Sequence, residues 1–213
     1  MQVCPLCMSA GPFAELVDIR RRRHHACPGC RLIFVDTACR ISPAAERARY
    51  LQHRNEPTET GYVAFLRQAV DPVLPLLQPG QQGVDYGCGP TPVLAQLVTA
   101  AGWPCAPYDP FFFPDTPAGP YDFLFATEVV EHFAQPAQDW AQMLAWLRPN
   151  GLLAVMTALW DDPDDFATWS YANDETHIAF YHRQTLEWIS AHAGLIPLPS
   201  PHPRVHLWRK AGA

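Results

Sequence analysis

The chain has 213 residues, 48% of them hydrophobic, and a formal net charge of −6, enough for one α/β domain of moderate size and a small appendage. No apolar run approaches the roughly 18–20 residues of a membrane helix, and the start Met1-Gln2-Val3-Cys4 lacks the basic-then-apolar pattern of a secretory signal, so a cytoplasmic chain with no membrane partner is expected. Charge is uneven: residues 1–60 carry nine arginines against six acids and residues 61–213 six bases against fifteen acids, so any phosphate-backbone contact would run through the first 60 residues.

Four of the seven cysteines form two pairs, Cys4-Pro5-Leu6-Cys7 and Cys27-Pro28-Gly29-Cys30, with nineteen residues between them. Each C-x-x-C turn presents two sulfurs on one side of a tight knuckle, and two knuckles can close a tetrahedral S₄ shell. Structural Zn²⁺ is the leading reading for residues 1–40. An iron site of rubredoxin type has the same ligands, disulfides are disfavoured in the cytoplasm, and thiol redox chemistry needs only one pair. Between the knuckles runs Arg20-Arg21-Arg22-Arg23-His24-His25. The arginines can offset the negative charge of a thiolate cluster, or they can contact phosphate or RNA.

Residues 41–80 read as a helical linker. Ser42-Pro43 is an N-cap followed by proline at the first helical position, and this helix is expected to run through Arg54. A second helix is expected from Thr60 to Val70, with Val63, Leu66 and Val70 near helical spacing.

The pattern changes at residue 81. Gly83-Val84-Asp85-Tyr86-Gly87-Cys88-Gly89 reads as a short strand entering a Gly-rich turn, and a helix follows from Pro92 to Ala101 with Gly102 beyond its end. Gly87 and Gly89 let the backbone approach a ligand closely. Asp85 stands where a carboxylate meets an ammonium group. A second strand, Pro104–Tyr108, ends in Asp109, 22 positions after Gly87, where an acid can accept from both hydroxyls of a ribose.

These segments carry a resemblance. Asp85-Tyr86-Gly87-Cys88-Gly89 resembles the first motif of the class I S-adenosylmethionine-dependent methyltransferases. Tyr121 to Phe133 is similar to their fourth strand and the turn after it. Leu147-Arg148-Pro149-Asn150-Gly151-Leu152-Leu153 is similar to the turn before their fifth strand. The tail, with a helix near Arg183–Ala193 and strands near Leu195–Leu198 and Val205–Trp208, looks like their closing hairpin. The resemblance implies a Rossmann-like α/β sheet over residues 81–213 that binds S-adenosylmethionine. It implies that Asp85, Gly87 and Gly89 hold the methionine end, that Asp109 holds the ribose, and that Thr127 and Glu128 lie beside the transferring methyl.

Two departures stand out. Thr91, between Pro90 and Pro92, replaces the third glycine of the motif. Only eleven residues separate Asp109 from Tyr121, so the helix that the family fits there is expected to be missing and the third strand missing or vestigial. Phe111-Phe112-Phe113 then either covers an adenine or packs in the core.

Methyl transfer from a sulfonium is an in-line displacement that asks mainly for alignment and exclusion of water; a base is needed only where the acceptor loses a proton. Candidate proton-handling groups are Glu131, His132 and His177, the last within a long acidic and aromatic stretch from Trp160 to Tyr181. His132 faces either an acceptor pocket or a structural hydrogen bond. Asp161, Asp162, Asp164 and Asp165 read as a solvated loop. After the fourth strand there is no D/N/S-P-P-Y/F motif and no nucleophilic cysteine, which disfavours adenine and cytosine methylation. A small-molecule O- or C-methyltransferase is the leading reading. An RNA methyltransferase gripping phosphate through the basic module, or a non-catalytic protein that binds S-adenosylmethionine and zinc, are the alternatives.

Overall fold

The computed structural model describes residues 2–52 and 55–212. The chain opens with three short antiparallel strands, β1 (Ala14–Val17), β2 (Arg23–Ala26) and β3 (Ile33–Val35), flanked by the two cysteine knuckles. Helix α1 (Pro43–Tyr50) starts as its sequence dictates: the Ser42 hydroxyl accepts from the Ala45 N–H and Pro43 occupies the first turn. The expected extension of this helix to Arg54 falls on residues 53 and 54, outside the described residues. Helix α2 spans Thr60–Val70, the expected bounds.

A six-stranded sheet follows. Its strands are β4 (Gly83–Tyr86), β5 (Cys105–Tyr108), β6 (Tyr121–Thr127) and β7 (Leu147–Met156), all parallel, then the antiparallel β9 (Leu195–Leu198) and β10 (Val205–Lys210). Helices α3 (Val93–Ala100), α4 (Pro136–Ala145) and α5 (Arg183–Ala193) connect them. The spatial order is β5-β4-β6-β7-β10-β9. The chain leaves β4 to one side for β5 and to the other for β6, and such a switch opens a crevice at the carboxyl ends of the strands. Strand β5 is the sheet edge, and among the described residues no helix or ladder strand lies between Asp109 and Tyr121. The shortened connection therefore appears as expected.

Strand periodicity builds the two core layers. Phe123 and Phe125 of β6, with Leu152, Ala154 and Met156 of β7, pack against α2 and α3. Leu124, Ala126, Leu153 and Val155 face the other way, against α4 and α5. No helix among the described residues is long and apolar enough to cross a membrane.

One pairing is not local in sequence. Strand β8 (Ala179–Phe180), from the long segment after β7, pairs antiparallel with β3 and completes the N-terminal sheet in the order β1-β2-β3-β8. A third apolar cluster, including Ile33, Val35, Trp160, Phe166 and Phe180, fills the space beneath it. The four arginines also divide. Arg22 turns inward, where its Nε donates to the fully buried carboxylate of Asp18 at 2.8 Å. Its Nη1 donates to the carbonyls of Glu175 (3.3 Å) and His177 (3.2 Å), and its Nη2 to that of Ala172. Arg20 approaches Glu175 at 3.8 Å and Arg23 approaches Asp36 at 3.2 Å. Arg20, Arg22 and Arg23 thus each face a carboxylate of this chain.

Replacing Arg22 strands a buried carboxylate and frees three carbonyls. Arg22→Ala should cost about 3–5 kcal/mol in denaturant unfolding and speed amide exchange across residues 171–178. Arg22→Lys should recover little, since an ammonium cannot serve Asp18 and three carbonyls through one planar fork. Unchanged stability and exchange would show that the clamp holds nothing.

Candidate active site

The carboxyl ends of β4, β5 and β6 open into a cavity of about 750 Å³. At its β4 end the chain turns through Gly87 (φ +82°), where an added Cβ would lie 2.4 Å from Val129 Cγ2, so only glycine fits. Gly89 (φ +67°) has open space at its Cα. Asp85 is buried, and its carboxylate accepts from the Ala95 N–H at 3.3 Å in the first turn of α3. Burial pushes Asp85 up to about 7, and the nearby Asp109 adds to the rise. Asp109 organises the rim: Oδ2 accepts from the Gly89 N–H at 3.0 Å, and Oδ1 from the N–H groups of Phe111 (2.8 Å) and Phe112 (3.2 Å). Burial raises its carboxyl, and the three amides oppose the rise. Of the three phenylalanines, Phe111 lines the cavity, while Phe112 lies under the Arg47 guanidinium.

The opposite end is built from the turn after β6 and the segment after β7. Thr127 and Glu128 line the cavity beside Gly87. Glu128 adopts a left-handed φ of +52°, a strained state for a non-glycine residue and one found preferentially at functional sites. Its two oxygens accept from Arg204 Nη2 at 2.9 and 2.8 Å. Burial and the neighbouring Glu131 push Glu128 up to about 8, against the pull of Arg204.

Glu131 is inaccessible to solvent. Its carboxylate accepts from Thr157 Oγ1 at 3.0 Å and from the Tyr171 hydroxyl, and its carbonyl accepts from the Ile178 N–H at 2.8 Å. Burial raises its carboxyl to about 7. His132 and His177 sit together, with ring centroids 4.9 Å apart. His132 Nδ1 donates to the Thr176 carbonyl (3.0 Å) and His177 Nδ1 to the Tyr171 carbonyl (2.7 Å). A carbonyl only accepts, so each ring carries its proton on Nδ1 and keeps a lone pair on Nε2. Burial lowers both imidazoles, His177 to about 3, so both are neutral near pH 7.

The structure brings Asp85, Gly87, Gly89, Asp109, Thr127, Glu128, His132 and His177 to one cavity, with Glu131 immediately beneath it. His132 combines the two expected alternatives, a structural bond through Nδ1 and a face on the cavity. Arg204, Tyr50, Glu46 and Tyr62 also line it and were not anticipated. Arg204 stands alone in the Pro-rich connection between β9 and β10, with no local pattern to single it out. The cysteines form a separate centre. Sγ of Cys4 lies 3.6 Å from that of Cys30, and Sγ of Cys7 lies 3.5 Å from that of Cys27. Four thiolates around one ion at 2.3 Å stand about 3.8 Å apart, so the cluster fits a tetrahedral ion.

A family model described as a methyltransferase domain matches residues 51–198, about two thirds of the chain. The chain belongs to this methyltransferase-domain family. It is a class I, S-adenosylmethionine-dependent methyltransferase. No curated protein matches it. Among solved structures, the methyltransferase is similar to the 1,6-didemethyltoxoflavin N1-methyltransferase of Burkholderia thailandensis, which holds its acceptor and S-adenosylhomocysteine. That match has a TM-score of 0.53 at 14% identity and covers 92% of this chain and 99% of that one. It is also similar to the magnesium protoporphyrin IX methyltransferase of Synechocystis, with a TM-score of 0.51, 14% identity and coverage of 80% and 95%. An O-methyltransferase family 2 protein of Planctomyces limnophilus bound to apigenin gives 0.53 at 18% identity, with coverage of 83% and 64%.

Burial of Asp85 has a pH consequence. Its folded pKa of about 7 lies above the unfolded value of 3.8. Between those values the folded protein holds a proton that the unfolded chain has released, so this group makes stability fall as pH rises from 4 to 7. Asp85→Asn keeps the acceptor for Ala95 and removes the charge. Without bound ligand it should exceed the parent in stability by roughly 2–4 kcal/mol at pH 8 and lose that advantage near pH 4. Parallel pH–stability curves for the two proteins would rule out this ionisation.

Proposed function

We propose that this methyltransferase transfers the methyl group of S-adenosylmethionine to an oxygen or carbon of a small-molecule acceptor, and that its four N-terminal cysteines hold a structural zinc ion. The observation that carries the reading is the single cavity with two chemically different ends. A volume of about 750 Å³ lies within the range of small-molecule sites, about 300–1,000 Å³. In this reading Asp85, Gly87 and Gly89 receive the methionine end, with the Asp85 carboxylate toward the ammonium. Asp109 receives the ribose, each oxygen keeping lone pairs beyond those given to the loop amides. Phe111 flanks the adenine. Thr127 and Glu128 border the methyl, and the acceptor lies toward Glu131, His132 and His177. The neutral imidazoles offer Nε2 lone pairs there, suited to an acceptor that must lose a proton. The engagement of Arg20, Arg22 and Arg23 with carboxylates of this chain favours a small molecule over RNA.

Asp109→Ala removes the ribose acceptors and unties Gly89, Phe111 and Phe112. Calorimetry should show affinity for S-adenosylhomocysteine falling at least ~30-fold, about 2 kcal/mol; unchanged affinity would refute the assignment.

For the cysteine centre, metal analysis should give one zinc per chain. Cys4→Ser combined with Cys7→Ser should abolish it and loosen residues 176–181, which lean on the N-terminal sheet. Iron in place of zinc, or no metal, would defeat this assignment.

A further inference from the structure

Glu131, His132 and His177 share a property that proton handling does not require. Each offers one ligand atom, and these atoms all lie within 4.8 Å of one another. The two rings are held in the manner of metal-binding histidines, with one nitrogen tied to a main-chain carbonyl and the other left as a donor. The third donor is held as well: Thr157 and Tyr171 fix the Glu131 carboxylate from both sides. Glu128, three residues before Glu131, lines the cavity above it, and Arg204 is bonded to Glu128. Two adjacent carboxylates of low solvent access are costly without positive charge nearby, and a divalent ion between Glu131 and the imidazoles would supply it.

We propose that Glu131, His132 and His177 bind a divalent transition-metal ion at the floor of the acceptor cavity, and that the acceptor is a hydroxyl compound whose oxygen completes the metal shell. The metal site stands on the geometry of the three side chains; the identity of the acceptor rests on the methyltransferase reading above. Two imidazoles and one carboxylate suit Mn²⁺, Fe²⁺, Co²⁺ or Zn²⁺ better than Mg²⁺ or Ca²⁺. The ligand atoms lie within 4.8 Å of one another and would draw in to about 3–3.5 Å for bonds of 2.0–2.2 Å. A bound ion holds the hydroxyl oxygen in place and acidifies it. The oxygen forms its bond to the methyl carbon as the carbon–sulfur bond breaks. The electron pair of that bond stays on sulfur, giving a neutral thioether, and the hydroxyl proton passes to water. In this arrangement the imidazoles are ligands, and no free histidine base is required.

The test is titration of the full-length protein, prepared with one zinc per chain and no excess zinc, with MnCl₂, followed by calorimetry and by the electron paramagnetic resonance of bound Mn²⁺. Manganese prefers oxygen and nitrogen donors and leaves thiolate-bound zinc in place. One Mn²⁺ per chain is expected, weakened at least tenfold in His132→Gln or His177→Gln, with zinc content and S-adenosylhomocysteine affinity retained as checks on folding. No Mn²⁺ binding by the parent protein, or equal affinity in both variants, would overturn the proposal. Failure of S-adenosylhomocysteine to bind the parent protein would instead remove the methyltransferase reading and leave the manganese result intact.

Discussion

Glu131 is a carboxylate with no access to water, and the half of the cavity formed by the turn after β6 and the segment after β7 is assembled around satisfying it. A buried carboxylate without partners is among the most expensive features a fold can carry. Here one oxygen takes the Thr157 hydroxyl at the end of β7, and the other takes the Tyr171 hydroxyl from a segment forty residues away. The Glu131 carbonyl meanwhile receives the Ile178 N–H. The turn after β6 and the segment after β7 are thereby fastened at two points on either side of His177. His177 cannot move independently of Glu131, and the His132 ring is fixed against the same segment through Thr176.

The N-terminal module holds that segment from the other side. Strand β8 gives its edge to β3, and Arg22 grips three carbonyls between Ala172 and His177 while paired with buried Asp18. A loop of this length would otherwise have many conformations, and its ordering entropy opposes a fixed site. The cysteine knuckles turn tightly after each pair, with left-handed residues at Met8 and Arg31, and an ion there would fix the hairpins that carry β2 and β3. Module and catalytic domain thus share one sheet. Their connection is mechanical: the cysteine knuckles flank the strands, β3 pairs with β8, and the segment that carries β8 forms one wall of the cavity.

The meeting of Asp85, Gly87, Gly89 and Asp109 at one cavity was legible in the sequence because their spacing is local. Asp85, Gly87 and Gly89 lie within one strand–turn–helix, and Asp109 ends the next strand, so spacing alone brings them together. Helix α2 and the closing hairpin were readable for the same reason, through periodicity and terminal signals. The opposite end of the cavity was only partly readable. Glu131, His132 and His177 stood out by residue type, yet nothing near them encodes the Tyr171 and Thr157 bonds that orient them. Arg204 comes from the β9–β10 connection and meets Glu128 only after the sheet has formed. The run Arg20–Arg23 does not act as one unit: Arg22 goes inside, while Arg20 and Arg23 stay exposed beside Glu175 and Asp36.

The two halves also differ in how charge is managed. Asp109 accepts from three backbone amides, so this rim of the cavity is organised by main-chain dipoles. At the other end Glu128 and two neutral imidazoles line the cavity near one guanidinium, with Glu131 beneath and Arg204 also over the face of Tyr171. In the proposed orientation a sulfonium donor would bring positive charge toward this end and lose it as the methyl leaves. The strained, left-handed Glu128 turns its carboxylate to Arg204, away from the free attraction a sulfonium would otherwise feel. A carboxylate left bare there would hold the charged donor more tightly than the transition state and slow transfer. Pairing with Arg204 reduces that penalty, and it makes this unheralded arginine a part of the site as integral as the acids it faces.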